Sequence, residues 1–442
     1  MLIASRTLPS STRLSLAGPK GTVTMRAARL MATFALAYLP FGPWLNQEFP
    51  LQLLGFSFFA TAFPTAIIVL ALLVVAIGDD PKLVKVPSMM AAIGLTIAAF
   101  RILLGVNPEG GLAAQLNQLR FFVLAPIMLL LWRPVLADRS TRNVTSYILI
   151  GHGLFFGILS MGYVLGLHTI GVESVNATVT LSQGTRYVGF AAGANVHGGL
   201  MALLFAYYCL SPIREKRLFW VVLGPVTLTG VMSSGSRCAA AASCIQLCCA
   251  AILLGGKQRI AAGLGVVFLL GALSISDRGP NELSGLIASL QERIDRTAEG
   301  GETRWAKTQI GLAAISQSWQ SLLAGTDANS LILGPEHIDQ FSDNSYIQMA
   351  TIVGVPATCL FLWLCIRTMR VEPGRRRLEK FGYWSLISVT MLLNNAILWD
   401  IWLYFASAIY WLVFLPENES MAARCTTRGT RLDTWAKRRT VP

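Results

Sequence analysis

Long apolar stretches recur along this chain and restrict its fold more than any other feature. Runs of about 17 to 25 apolar residues are long enough to cross roughly 30 Å of hydrocarbon as helices. Hydrophobic residues make up 54% of the 442 residues and charged residues only 13%, a balance foreign to soluble domains. The runs do not alternate apolar and polar residues, as the strands of a membrane barrel would. The sequence therefore predicts an all-α, polytopic helical membrane protein.

The apolar runs divide the chain into five segments. Residues 1–27 form a basic tail, residues 28–276 carry nine transmembrane helices, residues 277–344 form a long loop, residues 345–415 carry three more helices, and residues 416–442 form a second basic tail. Met25 is an alternative start, in which case residues 1–24 are not translated. The twelve predicted helices are 28–45, 51–78, 87–105, 118–136, 144–167, 187–210, 218–234, 237–255, 260–276, 345–366, 381–397 and 399–415.

The distribution of basic residues predicts the orientation in the membrane. With both termini in the cytoplasm, 27 of the 36 Lys and Arg residues fall in cytoplasmic segments, as the positive-inside rule requires. The net charge of +13 therefore reflects topology, and no motif for reading nucleic acid bases is present. We expect a multi-pass membrane protein with both termini in the cytoplasm.

Nine basic residues remain on the outer side, and four of them lie at or near the outer boundary of the membrane. A charge at that depth is costly and either pairs within the protein or marks a site. Any single arginine is explained as readily by snorkelling or structural pairing, but four at one depth favour a shared anion site. These four residues are Arg101, Arg120, Arg186 and Arg237.

Helix direction adds to the case for an anion. Arg120, Arg186 and Arg237 each precede or open a helix that runs inward, so that free N–H groups face the outer surface. Ser234 or Ser236 is expected to cap the helix near Arg237, and Asp343 or Ser345 the helix near 345.

The long outer loop has helical patterns of its own. Connections usually have about 4 to 6 residues, and much longer loops are often functional. Residues 283–297 and 302–319 place apolar residues at helical spacing with charges between them. We expect two amphipathic helices near the membrane surface.

Three motifs follow one another around this loop: GTRYVGFAAGANVHGG (184–199), SSGSRCAAAAS (233–243) and FSDNSYIQMATIVGVPA (341–357). Their order and spacing resemble the O-antigen ligase and polysaccharide polymerase superfamily of membrane glycosyltransferases. That pattern has an arginine followed by Gly and Asn, a Ser-Gly-Ser-Arg at a helix start, and a long periplasmic loop that ends in His-Asn or Asp-Asn before a tyrosine. The resemblance covers residues 184–357 and the number of spans.

The resemblance implies a metal-independent glycosyl transfer, without a cofactor, on the periplasmic face. The donor would be an undecaprenyl-pyrophosphate-linked oligosaccharide, and membrane lipids and other polysaccharide assembly or chain-length proteins would be partners. Arg186 and Arg237 match the arginines that hold pyrophosphate, and Arg120 and Arg101 are added as candidates because of their depth. A guanidinium suits this task because it offers fixed paired donors to phosphate and keeps its charge.

Asp343 departs from the pattern, since the ligases have a histidine there that accepts the proton of the incoming hydroxyl. Their reference pKa values differ, about 3.9 for Asp against about 6.5 for His. Asp343 can act as the base, orient an acceptor sugar or cap a helix, and His337 is a reserve base. The Asp-Asn-Ser-Tyr form resembles the exopolysaccharide polymerase branch, which favours a polymerase over a ligase.

Substrate-binding candidates are Arg304 and Trp305 in the loop, and Asn344 and Tyr346 in the third motif, as the resemblance implies. An ordinary amphipathic surface explains the first two equally well. His197 is expected to be a hydrogen-bonded packing residue. A flippase or transporter is the alternative of a different class, but its charges should lie near the middle of the membrane rather than at one face.

Overall fold

The computed structural model describes thirteen stretches of the chain: residues 23–53, 56–58, 62–79, 85–106, 111–167, 172–173, 186–191, 193–253, 256, 303–326, 344–368, 377–393 and 402–415. Within them the protein is helical apart from turns and two minimal strand pairs, which confirms the all-α fold class. The predicted helix 260–276 and the predicted amphipathic helix 283–297 lie outside these residues.

The described α-helices are numbered in chain order. They are α1 (Val23–Tyr38), α2 (Gly42–Glu48), α3 (Phe63–Asp79), α4 (Lys85–Leu103), α5 (Gly111–Ala137), α6 (Arg139–Val164), α7 (Ala194–Leu210), α8 (Gly224–Ser233), α9 (Arg237–Leu253), α10 (Thr303–Ser316), α11 (Trp319–Ala324), α12 (Ser345–Val353), α13 (Val355–Thr368), α14 (Arg377–Leu393) and α15 (Trp402–Leu415). Short 3-10 turns cover Leu39–Phe41 and Pro212–Glu215, and a π-turn, Phe219–Leu223, leads into α8.

Two predicted helices begin later than the apolar runs suggested. The run from residue 51 first forms the antiparallel pair β1 (Gln52–Leu53) and β2 (Phe56–Ser57), so α3 begins at Phe63. The run from residue 187 begins with β4 (Arg186–Tyr187), which pairs with β3 (Val172–Glu173), so α7 begins at Ala194. Gly189, with φ of 60°, lies in the left-handed region and ends the extended segment in a turn.

The predicted helix 345–366 is broken in two. Gly354 has φ of 83°, a left-handed conformation that ends α12, and Pro356 lies in the first turn of α13. Apolar periodicity does not detect such a break, because the residues on both sides of it are apolar.

The helices pack as a bundle with two distinguishable ends. At one end Arg29 of α1 pairs with Asp79 of α3 at 2.9 Å, and Arg214, after α7, pairs with Glu379 of α14 at 3.3 Å. Helices α7, α9 and α14 pack against one another, and α7 is buried along most of its length. Helices α7 and α9 begin at the opposite end of the bundle.

Two helical segments are long and apolar enough to cross a membrane, Leu119–Ala137 and Arg139–Val164. Six apolar helical segments of 10 to 17 residues accompany them among the described residues. Helices α10 and α11 belong to the predicted loop, as the pattern at 302–319 indicated, and both pack against α12.

Candidate functional site

The Ser233–Arg237 turn is built as a helix start. Gly235 has φ of 60°, which reverses the chain after α8, and α9 begins at Arg237. The Ser236 hydroxyl oxygen accepts the N–H of Ala239 at 3.4 Å, and the Ser234 hydroxyl oxygen accepts the N–H of Ser236 at 3.2 Å. The predicted serine cap is therefore confirmed, and Arg237 opens a helix whose positive end lies here.

Two consecutive residues of α7 join the first motif to this turn: Gly198 contacts the turn, and His197 contacts the segment that contains Arg186. A Cβ at Gly198 would lie 2.9 Å from the Cβ of Ser236 and 3.1 Å from that of Ser234, so α7 and the turn are in direct contact. His197, the preceding residue, meets the ring of Tyr187 edge to face, with centroids 5.2 Å apart. Tyr187 directly follows Arg186 in β4. The backbones of Arg186 and Arg237 therefore flank the same turn of α7.

His197 is a packing residue, as the sequence suggested. Its side chain is buried, and its Nε2 lies 3.2 Å from the Ser160 hydroxyl. That hydroxyl donates to the carbonyl of Phe156 at 2.7 Å, which leaves its oxygen able to accept a proton from His197. The bond ties α7 to α6 beneath the Arg186 segment.

Tyr187 is the aromatic anchor of that segment. Its side chain is buried, with its ring stacked on that of Tyr163 at a centroid distance of 5.4 Å. Burial raises the pKa of Tyr187 to about 12, so the phenol stays neutral at physiological pH. A neutral tyrosine next to Arg186 leaves the positive charge of that arginine uncompensated by this residue.

The third motif reaches the same region through α14. Asn344 caps α12, since its side-chain oxygen accepts the N–H groups of Tyr346 at 3.0 Å and Ile347 at 3.2 Å. The Tyr346 side chain lies beside Ser388 of α14, and both line one apolar cavity. The Cys238 thiol lies 3.6 Å from the carbonyl of Val389, the next residue of α14. The starts of α9 and α12 thus meet one turn of α14.

The capping prediction for the third motif was wrong in its residue. Asn344, rather than Asp343 or Ser345, caps α12, because it directly precedes the first helical residue and its side-chain oxygen accepts two free N–H groups. Asp343 and His337 lie outside the described residues. The neighbouring Asn344 therefore has the capping role that was predicted for Asp343 or Ser345.

Arg101 and Arg120 lie on α4 and α5, away from the α7 turn that Arg186 and Arg237 flank. Arg101 is completely buried and donates to the carbonyls of Ile352 and Thr326, the latter at 3.2 Å. The expectation that Arg120 precedes or opens a helix was wrong, because α5 begins at Gly111 and Arg120 is its tenth residue. Arg120 borders a largely apolar groove of about 620 Å³ between α3, α4 and α5.

The remaining candidates are placed by backbone alone. Arg304 and Trp305 lie in the first turn of α10, which packs against α12. The side chains of Arg186, Arg237, Arg304 and Trp305 lie outside the part of the structure that is described.

An apolar cavity of about 560 Å³ adjoins Tyr346 and Ser388. It is lined mostly by apolar side chains of α5, α13, α14 and α15, with Lys380 at the α14 start. Among the described residues, no group of three or more His, Cys, Asp or Glu side chains is arranged to hold a metal ion.

The chain matches no protein-family model, no curated protein and no solved structure.

Proposed function

We propose that the protein is a polysaccharide polymerase of a bacterial inner membrane, with twelve transmembrane helices. It would transfer a growing glycan from undecaprenyl pyrophosphate to the acceptor hydroxyl of a lipid-linked repeat unit on the periplasmic face. The observation that carries this proposal is the convergence of three motifs, distant in sequence, around one turn of α7 and one turn of α14.

In the proposed reaction the acceptor hydroxyl oxygen attacks the anomeric carbon of the donor glycan. The bond between that carbon and the pyrophosphate oxygen breaks, and the hydroxyl proton passes to a base. Arg186 and Arg237 would bind the departing pyrophosphate, whose negative charge grows in the transition state. The N-terminus of α9, capped by Ser236, adds N–H groups and a positive dipole end at the same place.

Two further features support a lipid-linked substrate. The apolar cavity beside Tyr346 is large enough for part of a polyprenyl chain next to the start of α12. The ion pairs Arg29–Asp79 and Arg214–Glu379, which involve residues predicted to be cytoplasmic, lie at the end of the bundle opposite the motifs. That polarity agrees with a periplasmic site.

Purified protein incubated with an undecaprenyl-pyrophosphate oligosaccharide tests the proposal. A ladder of longer products is expected. A single transfer to another acceptor would make the protein a ligase, and movement of the lipid between leaflets without bond formation would make it a transporter. Arg186→Ala and Arg237→Ala should each abolish the ladder while the protein still inserts in the membrane. Arg139→Ala is the matched control, because Arg139 is the first residue of α6 and lies at the end of the bundle away from the motifs.

Asp343 is the proposed base, and the pH dependence of turnover distinguishes an aspartate base from a histidine base such as His337. A carboxylate with an ordinary pKa of about 3.9 is ready to accept a proton throughout the neutral range. Asp343→Asn should remove turnover but keep donor binding, whereas Asp339→Asn in the same loop should be active. Asp343→His should restore turnover with an activity limb moved up to about pH 6.5. An active Asp343→Asn variant would remove Asp343 from the mechanism.

A further inference from the structure

Arg101 joins α4 to both the loop helices and α12. Its guanidinium donates to the carbonyl of Ile352, near the end of α12, and to the carbonyl of Thr326, just after α11. The last carbonyls of a helix have no partners within it, and they carry the negative end of its dipole. A buried cation is well placed there, and Arg supplies two separate donors where Lys would supply a single point charge.

Two glycines close the same joint from both sides. A Cβ at Gly325 would lie 2.6 Å from the carbonyl oxygen of Thr351, and one at Gly354 would lie 2.9 Å from the backbone nitrogen of Ala324. Both glycines have left-handed φ angles, 77° and 83°. The N–H of Thr326 also donates to the carbonyl of Thr351 at 2.6 Å. The two backbones therefore meet without intervening side chains, and Arg101 covers the junction.

The opposite end of α12 carries the Asn-Ser-Tyr residues of the third motif. Asn344 caps it, and Tyr346 in its first turn lies beside Ser388 of α14. The helix has nine residues and is therefore only about 13 Å long, a rigid rod of two and a half turns. A shift where Arg101 holds it is transmitted to the residues that precede Tyr346.

We propose that Arg101 is a positioning residue for glycosyl transfer. By fixing the end of α12, it sets where Asp343 and Asn344 lie relative to Arg186 and Arg237. This inference rests on the proposed function. It assigns Arg101 to catalytic geometry and leaves pyrophosphate binding to the arginines beside α7.

Arg101→Lys and Arg101→Gln in the full-length protein test the proposal. We expect both variants to bind undecaprenyl-pyrophosphate oligosaccharide with an affinity within about twofold of the wild type. Their kcat should fall about 10- to 100-fold, because an error of about 1 Å at a reacting centre can cost that much. The Lys variant should keep more activity than the Gln variant. Hydrogen exchange at Thr326 should accelerate in both. Lys85→Gln, at the other end of α4, is the control.

Each outcome bears on the inference. Loss of donor binding with unchanged exchange at Thr326 would make Arg101 a pyrophosphate ligand and overturn it. Faster exchange with unchanged kcat would reduce the joint to a structural contact. If Arg101→Gln fails to fold, Gly325→Ala perturbs the same joint and should lower kcat without weakening donor retention. An inactive wild-type protein would refute the proposed function, whereas an active wild type with fully active Arg101 variants would refute only the positioning role.

Discussion

Gly198 offers the sharpest test of whether the contact between α7 and the Ser233–Arg237 turn matters for function. A methyl group there would lie 2.9 Å from the Cβ of Ser236 and 3.1 Å from that of Ser234. Carbon atoms in contact prefer a separation of about 3.5 to 4.0 Å. Gly198→Ala must therefore move α7 and the turn apart by about 0.7 Å, since the Cβ atoms of the two serines are fixed to the backbone and cannot rotate away from the new methyl group.

The stability effect of this change should be small because two terms oppose each other. Alanine improves helix propensity by about 1 kcal/mol, whereas overpacking costs about 1 to 3 kcal/mol. The net loss of about 0 to 2 kcal/mol leaves the protein folded. The same displacement separates the backbones that carry Arg186 and Arg237, so polymer formation should fall about 10- to 100-fold.

The assay is elongation of an undecaprenyl-pyrophosphate oligosaccharide by purified variants, with thermal unfolding measured in parallel. Gly151→Ala is the matched control, because no atom lies within 4 Å of a Cβ at that position of α6. Ser234→Ala removes the hydroxyl that is nearest to the new methyl group, so adding it to Gly198→Ala should recover part of the lost activity. Wild-type activity in Gly198→Ala, or an equal loss in Gly151→Ala, would refute the reasoning.

Three other changes test the bundle itself. Arg214→Met should destabilise the protein by about 3 kcal/mol, because Glu379, whose side chain is 5% exposed, loses an ion-pair partner. The double variant Arg214→Met/Glu379→Met should recover much of that loss in thermal unfolding. If the double variant recovers nothing, the ion pair does not stabilise the fold. Asp138 caps α6, and although burial alone would raise the pKa of its carboxyl, hydrogen bonds from Thr141 and the nearby Arg29 and Arg26 lower it. Its charge therefore stabilises the fold above about pH 4 and ceases to do so as the pH falls through the lowered pKa; Asp138→Asn should flatten that part of the stability curve, and Asp138→Ala should in addition cost about 1 kcal/mol as a lost cap. Gly157→Ala should cost about 1 to 3 kcal/mol in the same unfolding assay, because its Cβ would lie 2.7 Å from the carbonyl oxygen of Val226 on α8, and stability equal to that of Gly151→Ala would contradict this contact.

Apolar length predicted the helices well and their interruptions poorly. Helix α9 begins at Arg237 as expected, because a serine cap and a charged residue mark the start in the sequence itself. The break at Gly354 and the late start of α7 depend on left-handed glycines, at Gly354 and Gly189, that lie among apolar neighbours. Hydropathy assigns such a glycine to the helix that it ends.

Local chemistry also left the roles of two polar residues undecided. Asp and Asn are both common caps, and the sequence favoured Asp343 or Ser345 at a position where the structure uses Asn344. A shift of one residue along the chain is within the ordinary uncertainty of helix boundaries. The difference bears on the proposed function, because the helix cap at Asn344 removes one alternative explanation for an aspartate at position 343.

The four boundary arginines show why depth in a membrane does not by itself define a site. Counting apolar runs gives each arginine a height along the bundle, but it gives no angle around it. The structure supplies that angle: Arg101 and Arg120 lie on α4 and α5, whereas Arg186 and Arg237 flank one turn of α7. Small residues decide the second grouping, because Gly198, Ser234, Ser236 and Cys238 let α7, α9 and α14 approach closely. A proposed pyrophosphate site therefore needs only the second pair, and the buried guanidinium of Arg101 is left to hold the helix that carries the third motif.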